Sequence, residues 1–390
     1  MLEAIGAAPG TQSEVDWQEV WRSSPEYRLV REELTRLRAK RTAESSSAEQ
    51  NEGEDDEVWH QEFATSLWYQ FQIVTQRVFQ QTWRTPSYIY SKLALCIATS
   101  LFIGLVFLNS PLTIQGLQNQ MFAIFELMSI VGQLVDQQMP HFITQRSLYE
   151  VRERPAKTYS WKVFMVSEII SELPWYTLAS VFMWAFFYFP IGLYKNADAA
   201  DQGVERGWLI LLLFWVFLIW VSTFAHFCIS FAGSADDGGN VANFMFVLAF
   251  FFCGVLASPD QMPRFWIFLY RASPLSYYVS AVLSTGLANV NVTCAVNEFT
   301  TFAPPDGQDC GTYMAEYISA AGGYLLDSNA TVGCSYCKIK ETNMFLEAIH
   351  TDYADRWRNF GLMWVYVALN IAGALFLYWL ARMPKGKKKL

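Results

Sequence analysis

Charge is scarce in this sequence. Asp, Glu, Lys and Arg make up 16% of its 390 residues, where soluble domains average ~25%, and that deficit argues against an ordinary cytosolic enzyme. Catalytic motifs are missing as well. There is no G-x-x-x-x-G-K-[ST] phosphate loop, no G-x-G-x-x-G, no G-x-S-x-G elbow and no H-E-x-x-H, so the residues offer no visible means of hydrolysis. The four histidines, His60, His141, His226 and His350, are scattered and share no metal-ligand spacing. A net charge of −8 excludes a strongly basic nucleic-acid binder. A hydrophobic content of 53% excludes an intrinsically disordered chain. Met1–Gly10 carries neither the basic nor the apolar region of a secretory leader.

What is present is a neutral, aromatic-rich body behind an acidic front. Residues 1–62 hold 15 acids and 7 bases, and the remainder holds 21 of each. Residues 14–40 alternate charges with Val15, Trp17, Val20, Trp21, Leu29, Val30, Leu34 and Leu37, the pattern of one or two short amphipathic helices. Residues 41–57 (RTAESSSAEQNEGEDDE) have almost nothing to bury and read as an acidic disordered linker. From Trp59 to Trp83 apolar residues recur at helical spacing with glutamines between them, which predicts an interfacial helix over residues 58–84. A soluble helix packed on a neighbouring domain is the alternative.

Six apolar stretches follow, each near the ~20 residues a helix needs to cross a bilayer. They are Tyr88–Leu108, Leu117–Met139, Val163–Leu193, Trp208–Ala232, Asn240–Ser258 and Asn359–Ala381. The chain therefore reads as an all-α polytopic membrane protein, with spans one to five in residues 85–258, a sixth in 357–382 and a basic tail in 383–390. Lys92, in the first span, is expected to snorkel to the interface. Lys and Arg number 10 up to Lys92, 5 between spans two and three and 5 from Arg382 onward, against 8 on the other side. That bias predicts cytoplasmic termini.

The long excursion over residues 259–356 begins with Pro263–Ala288, too apolar for a plain loop and broken by Pro274. Two half-helices dipping back into the membrane are expected there. Cys294, Cys310, Cys334 and Cys337 follow, together with sequons at Asn291 and Asn329, which puts this segment in an oxidising compartment. Four cysteines permit three pairings. Neighbouring Cys334 and Cys337 are expected to bond elsewhere, with the nested pairs Cys294–Cys337 and Cys310–Cys334 favoured over a zinc site.

Ionisable groups inside spans are the default functional suspects. Glu126 and Asp136 fall in the second span, Glu168 and Glu172 one turn apart in the third. A proton- or cation-coupled path is one reading. The other lets Asp136, Glu168 and Glu172 bond to Arg and Lys of the 146–162 loop, leaving Glu126 to a polar cavity. His226 reads as a hydrogen-bonded packing residue. Phe244, Phe246, Phe250, Phe251 and Phe252 crowd the fifth span, where they either line a greasy pocket or face lipid.

Three longer stretches carry a family likeness. QRSLYEVRERPAKTYSWKVFMVSEIISELPW (Gln145–Trp175) resembles the connection between the second and third spans of G-type ATP-binding cassette exporters. Ala257–Val290, Trp357–Lys389 and the cysteine spacing resemble the carboxy-terminal membrane domain of full-size pleiotropic drug resistance transporters. The likeness covers residues 1–40 and 58–390, and Met1–Gly10 resembles the segment after the second nucleotide-binding domain of that family.

The resemblance implies an ABC-2 membrane domain of six transmembrane helices, with an interfacial connecting helix and a disulfide-bearing extracellular loop, exporting drugs or lipids with ATP. It implies a substrate pathway through Glu126, Gln133, Phe246 and Phe250, with Val255 and Leu256 as an apolar valve above it. It also implies a coupling turn at Glu150, Arg152, Glu153 and Arg154. Catalytic residues, resident metals and cofactors are expected to be none in this chain, with ATP and Mg held by nucleotide-binding domains outside it. The expected partners are the lipid bilayer, those domains, a second membrane half and a hydrophobic small molecule or lipid, with no nucleic acid. The expected location is integral to the membrane, with the plasma membrane favoured. Met1 is expected to be an internal methionine of a longer protein. A carboxylate-dependent carrier or channel, or a non-transporting remnant, is the alternative.

Overall fold

The computed structural model describes residues 16–48, 62–256 and 258–383. The chain divides into two compact units, Met1–Ala64 and Thr65–Leu390. In the first unit, α1 (Trp17–Ser23) and α2 (Pro25–Ala48) are parted at Ser24. Pro25 suits the first turn of a helix because its missing N–H would find no partner there, and Ser24 Oγ accepts the Tyr27 N–H at 3.2 Å. Helix α2 runs on through residues 41–48, so that part of the expected disordered linker is helical. The rest of the linker, residues 49–57, lies outside the described residues, as do Met1–Gly10 and most of the basic tail.

The second unit opens with α3 (Leu67–Trp83), capped by Ser66 and burying Gln70, Val74, Val78 and Thr82 at four-residue spacing. The expected connecting helix is thus shorter at its start than residues 58–84. Next come α4 (Pro86–Val106), α5 (Ile114–Leu127), α6 (Ile130–Leu148) and a π-helical turn at Tyr149–Glu153. They are followed by α7 (Trp161–Ile191), α8 (Leu193–Ala199), α9 (Gly203–Ile229) and α10 (Ala235–Phe251). Helix α9 is the centre of the bundle, packing on α6, α7, α10 and α15 (Arg356–Arg382). Of its most apolar window 78% is buried, against 33% in α4 and 17% in α15. A helix apolar all round needs such a place or lipid around it.

By length and composition, three helices among the described residues can cross a membrane: Pro86–Val106, Gly203–Ile229 and Tyr353–Arg382. A fourth is added if α7 and α8, bent by 70° where Gly192 takes φ +92°, count as one broken span. The second expected stretch, Leu117–Met139, divides between α5 and α6 at Met128–Ser129. The fifth expected stretch ends early, because the backbone turns at Phe252–Leu256 with Gly254 at φ +94°. A Cβ at Gly254 would lie 2.8 Å from the Tyr270 ring.

The 259–356 excursion contains α11 (Ile267–Ala272) and α12 (Pro274–Leu287), broken at Ser273–Pro274. Ser273 and Ser276 hydroxyls donate to the Ala249 and Phe252 carbonyls at 3.0 and 3.2 Å, tying this hairpin to the end of α10. Beyond it the all-α expectation is corrected. β1 (Thr300–Phe302), β2 (Tyr324–Leu325) and β3 (Cys334–Cys337) form an antiparallel sheet in the order β1-β3-β2. The short helices α13 (Cys310–Ala321) and α14 (Thr342–Ala348) flank it. Disulfides join Cys294 to Cys337 and Cys310 to Cys334. The core is too thin here to hold such a small sheet alone, and the cross-links restrict its unfolded states.

Candidate translocation face and coupling turn

Helices α5, α6 and α10 meet through aromatic and small residues. Phe125 stacks on Phe250 with ring centroids 4.1 Å apart, and Phe246 lies 5.4 Å from Phe250. Asn243 Nδ2 donates to Asp136 Oδ1 at 3.4 Å. A Cβ at Gly132 would stand 3.2 Å from Asn243 Oδ1, and one at Gly239 the same distance from Asp136 Oδ1. The two glycines let α6 and α10 approach closely enough for this polar bridge. Beside it Glu126, Ser129, Gln133 and Asp136 are exposed along α5 and α6, and Asn240, Phe244, Val247 and Phe251 are exposed on α10. Phe246 faces elsewhere, into a cavity of about 280 Å3 with Trp220, Phe224 and Tyr366. Val255 is half-buried and Leu256 exposed in the turn after α10. The structure therefore brings Phe246 and Phe250 together, and leaves Glu126, Gln133 and Leu256 on open surface.

A second polar group lies in the interior. Lys92 of α4 is 1% exposed and forms an ion pair with Glu172 of α7. Tyr88 donates to Glu172 Oε1 at 2.6 Å and accepts from Lys92 at 2.8 Å. His141 of α6 stacks on Tyr88 at 4.3 Å. Lys92 thus does not snorkel, and Glu172 bonds to α4 rather than to the 146–162 loop, because each charge is compensated inside the bundle. Asp136, expected to bond to the same loop, bonds to Asn243 instead. Further along, Gln138 accepts from Tyr176 at 3.0 Å and lies 2.9 Å from His226 Nδ1. His226 also bonds the Ser222 carbonyl at 2.8 Å. Glu168 is 3% exposed, on the same face of α7 one turn before Glu172.

The turn between α6 and α7 is built on Tyr149, which stacks on Phe164 at 4.7 Å. Glu153 accepts from Arg77 of α3 and from Tyr159. Burial acts to raise the Glu153 carboxyl, but the Arg77 guanidinium and Tyr159 hydroxyl outweigh it and hold the group below its ordinary value. Glu150 accepts from Tyr378 at 3.2 Å, and Arg154 donates to the Arg382 carbonyl at 2.8 Å, fastening the turn to the end of α15. Arg146 closes the end of α9 by donating to the Ile229 and Gly233 carbonyls at 3.0 and 3.1 Å. Val151, Arg152 and Lys157 stay exposed. The turn has one edge tied to α3, α7 and α15 and the other open.

At the opposite end, Asn291 and Asn329 are exposed near the disulfide-linked sheet. No cluster of three or more His, Cys, Asp or Glu that could hold a metal ion occurs among the described residues. Sequence reasoning missed the Lys92–Glu172 pairing. Lys92 and Glu172 were both visible as charges inside apolar runs, and the signal lay in their opposite signs.

This bundle, a central apolar helix with a fastened turn at one end and a cross-linked sheet at the other, is a membrane domain. The family model "ABC-2 type transporter" matches residues 69–287, and the chain belongs to that family. It is 70% identical over 390 residues to ABC transporter eupT of a Phoma species and 65% identical over 391 residues to ABC transporter asL7 of Sarocladium schorii. It is 52% identical over 390 residues to ABC multidrug transporter A-1 of Aspergillus fumigatus. All three alignments cover 100% of this chain but 27% of the relative, so the chain spans about a quarter of the length of the curated relatives it matches.

Proposed function

We propose that this chain is the carboxy-terminal membrane half of a full-size exporter of the pleiotropic drug resistance type. It moves hydrophobic or amphipathic compounds, drugs or lipids, when nucleotide-binding domains holding ATP and Mg act on it. The observation that carries the reading is the polar edge of α5, α6 and α10. Glu126, Gln133, Asp136 and Asn240 are exposed there among exposed apolar side chains such as Phe244, Val247 and Phe251. In a bilayer such residues face a partner or a water-filled cavity, because hydrocarbon solvates none of them. A second membrane half would close the cavity against this edge, with Phe250 at its wall and Val255 and Leu256 at its outer end.

The relatives named ABC transporters, one of them a multidrug transporter, support the chemical class. On this reading six segments span the plasma membrane, α5 with α6 and α10 with its following turn completing the set. Both termini are cytoplasmic, and the exposed edge at Arg152 receives the motion of the nucleotide-binding domains. The disulfide sheet is extracellular, with glycans on Asn291 and Asn329.

The test is transport in proteoliposomes. With the remainder of a full-length protein supplied, ATP should drive efflux of a hydrophobic dye, and Glu126→Leu together with Gln133→Leu should lower it. The 390-residue chain alone should turn over no ATP. Nucleotide-independent, proton-driven uptake that disappears in a Glu172→Gln variant would overturn the proposal in favour of a secondary carrier.

A further inference from the structure

A groove of about 880 Å3 runs along α7, α8 and the start of α9, away from the α5–α6–α10 edge. Its lining includes Trp184, Tyr188, Tyr194, Asp198, Asp201 and Trp208. It opens at the disulfide-bearing end of the bundle, where Tyr353 donates to Gln202 at 2.7 Å. The groove is graded in polarity. Asp198 and Asp201 are exposed at its rim, and no ion pair to either occurs among the described residues. Nearby Lys195 donates to the neutral Asn109 amide oxygen and lies 5.9 Å from the Tyr194 ring, so one cation stands at the rim beside the two carboxylates. Below the rim, Tyr188 and Trp184 stack on consecutive turns of α7 with centroids 5.6 Å apart. The indole Nε1–H of Trp184 is buried without a hydrogen-bond partner. Trp184 stands seven positions before Ile191, the last residue of α7, so its backbone lies ~10 Å below the helix end.

We propose that this groove binds a choline-headed phospholipid of the surrounding leaflet, separately from any transported substrate. The proposal rests on reading α7 and α9 as membrane-embedded. Two unpaired carboxylates beside tyrosine and tryptophan rings suit a quaternary ammonium, which is drawn both to negative charge and to aromatic faces. The unpartnered Trp184 N–H is covered by its surroundings, so a lipid oxygen meets it only where the indole turns toward the groove. Ester and phosphate oxygens lie on the tail side of the choline, and Trp184 lies on the corresponding side of Asp198 and Asp201 along the groove. Charge complementarity argues against an anionic headgroup, which would meet Asp198 and Asp201. Gly203 and Gly207 help keep the site open. A Cβ at Gly203 would stand 2.4 Å from Asp198 Oδ1, and one at Gly207 would lie 3.6 Å from the Tyr188 hydroxyl.

The experiment uses the intact chain in nanodiscs doped with photoactivatable phosphatidylcholine or phosphatidylglycerol, with adducts mapped by peptide mass spectrometry. The expected result is phosphatidylcholine labelling concentrated in residues 181–211. It should fall about tenfold in D198N/D201N and less in W184F, which keeps an aromatic ring, a smaller one, and removes the donor. Equal labelling by phosphatidylglycerol, or undiminished labelling in both variants, would overturn the site. Adducts on α4 and α15 but not in 181–211 would also overturn it, while leaving the membrane reading intact. Adducts on none of the long helices would overturn the membrane reading together with the site.

Discussion

Arg77 of α3 and Glu153 of the turn after α6 lie 76 residues apart in sequence and form an ion pair, with Arg77 Nη2 to Glu153 Oε2 at 3.1 Å and Tyr159 bonded to both. The pair joins the helix that enters the membrane domain to the turn proposed to receive external motion. Arg77 is about half exposed, so the contact is worth ~1 kcal/mol or less on its own.

Its value to the turn is orientation, and the first prediction follows from that. Glu153→Gln should loosen residues 149–158 while leaving the melting temperature within a few degrees. Faster amide exchange confined to that stretch is the measurement. The Glu153 carboxyl is held below its ordinary value in the fold. Its contribution is therefore present above the ordinary carboxylate range and is lost as pH falls through the lowered folded value. Protection of the turn, measured relative to the intrinsic exchange rate at each pH, should be unchanged between pH 7 and 9 and should fall below about pH 4.5 in the parent chain only.

Lys92 and Glu172 pose the opposite case, a pair 1% and 4% exposed. Removing one partner strands the other charge in the bundle. Lys92→Met or Glu172→Leu should each destabilise the chain by about 3–5 kcal/mol, while the two substitutions together should recover most of the loss. Thermal unfolding of the four proteins in one detergent forms the double-mutant cycle. Additive losses in the double variant would show that the two charges act independently.

Parts of this architecture were plain in the sequence. The runs in α4, α9 and α15 are long and nearly uncharged, so burial in lipid or protein is their low-energy state. The division of Leu117–Met139 was not legible, because Glu126, Gln133 and Asp136 read as interruptions of one helix rather than as the exposed edge of two. The charge at Lys92 was visible, but its partner lies on another helix, and hydropathy scores each charge as a separate penalty. The small sheet escaped because its strands are only two to four residues long. Which side Gln133 takes follows the glycine-mediated approach of α6 to α10, a tertiary feature with no local pattern.

Gly104 supplies the third prediction. A Cβ there would lie 2.6 Å from the Phe186 carbonyl oxygen and 3.1 Å from Pro190 Cβ, both on α7. Pro190 has no N–H to bond that carbonyl, so the helix is open where α4 presses against it. Gly104→Ala must push backbone away from backbone, and about 1–3 kcal/mol of destabilisation is expected despite the better helix propensity of alanine. A melting temperature equal to the parent's would show that α4 yields without cost.

Glu298 supplies the last. Its carboxylate accepts the N–H groups of Ile114 and Gln115 at 3.2 and 2.7 Å, and of Ala295 at 2.9 Å. The cysteine segment thereby caps the first turn of α5, four residues from the Cys294–Cys337 bond. Burial acts to raise this carboxyl, but the three amides outweigh it and hold it low. The stabilisation is thus complete above the ordinary carboxylate range and fades as pH falls through the lowered value. Glu298→Gln should cost about 1–2 kcal/mol of local stability, the range of a lost helix cap, and should abolish the acid sensitivity. Amide exchange at residues 114–116 between pH 3 and 7 reads both effects. Reduction of the Cys294–Cys337 disulfide should accelerate the same amides in the parent chain. Protection there, relative to the intrinsic exchange rate, that ignores pH, substitution and reduction alike would mean that α5 holds its own end without the loop.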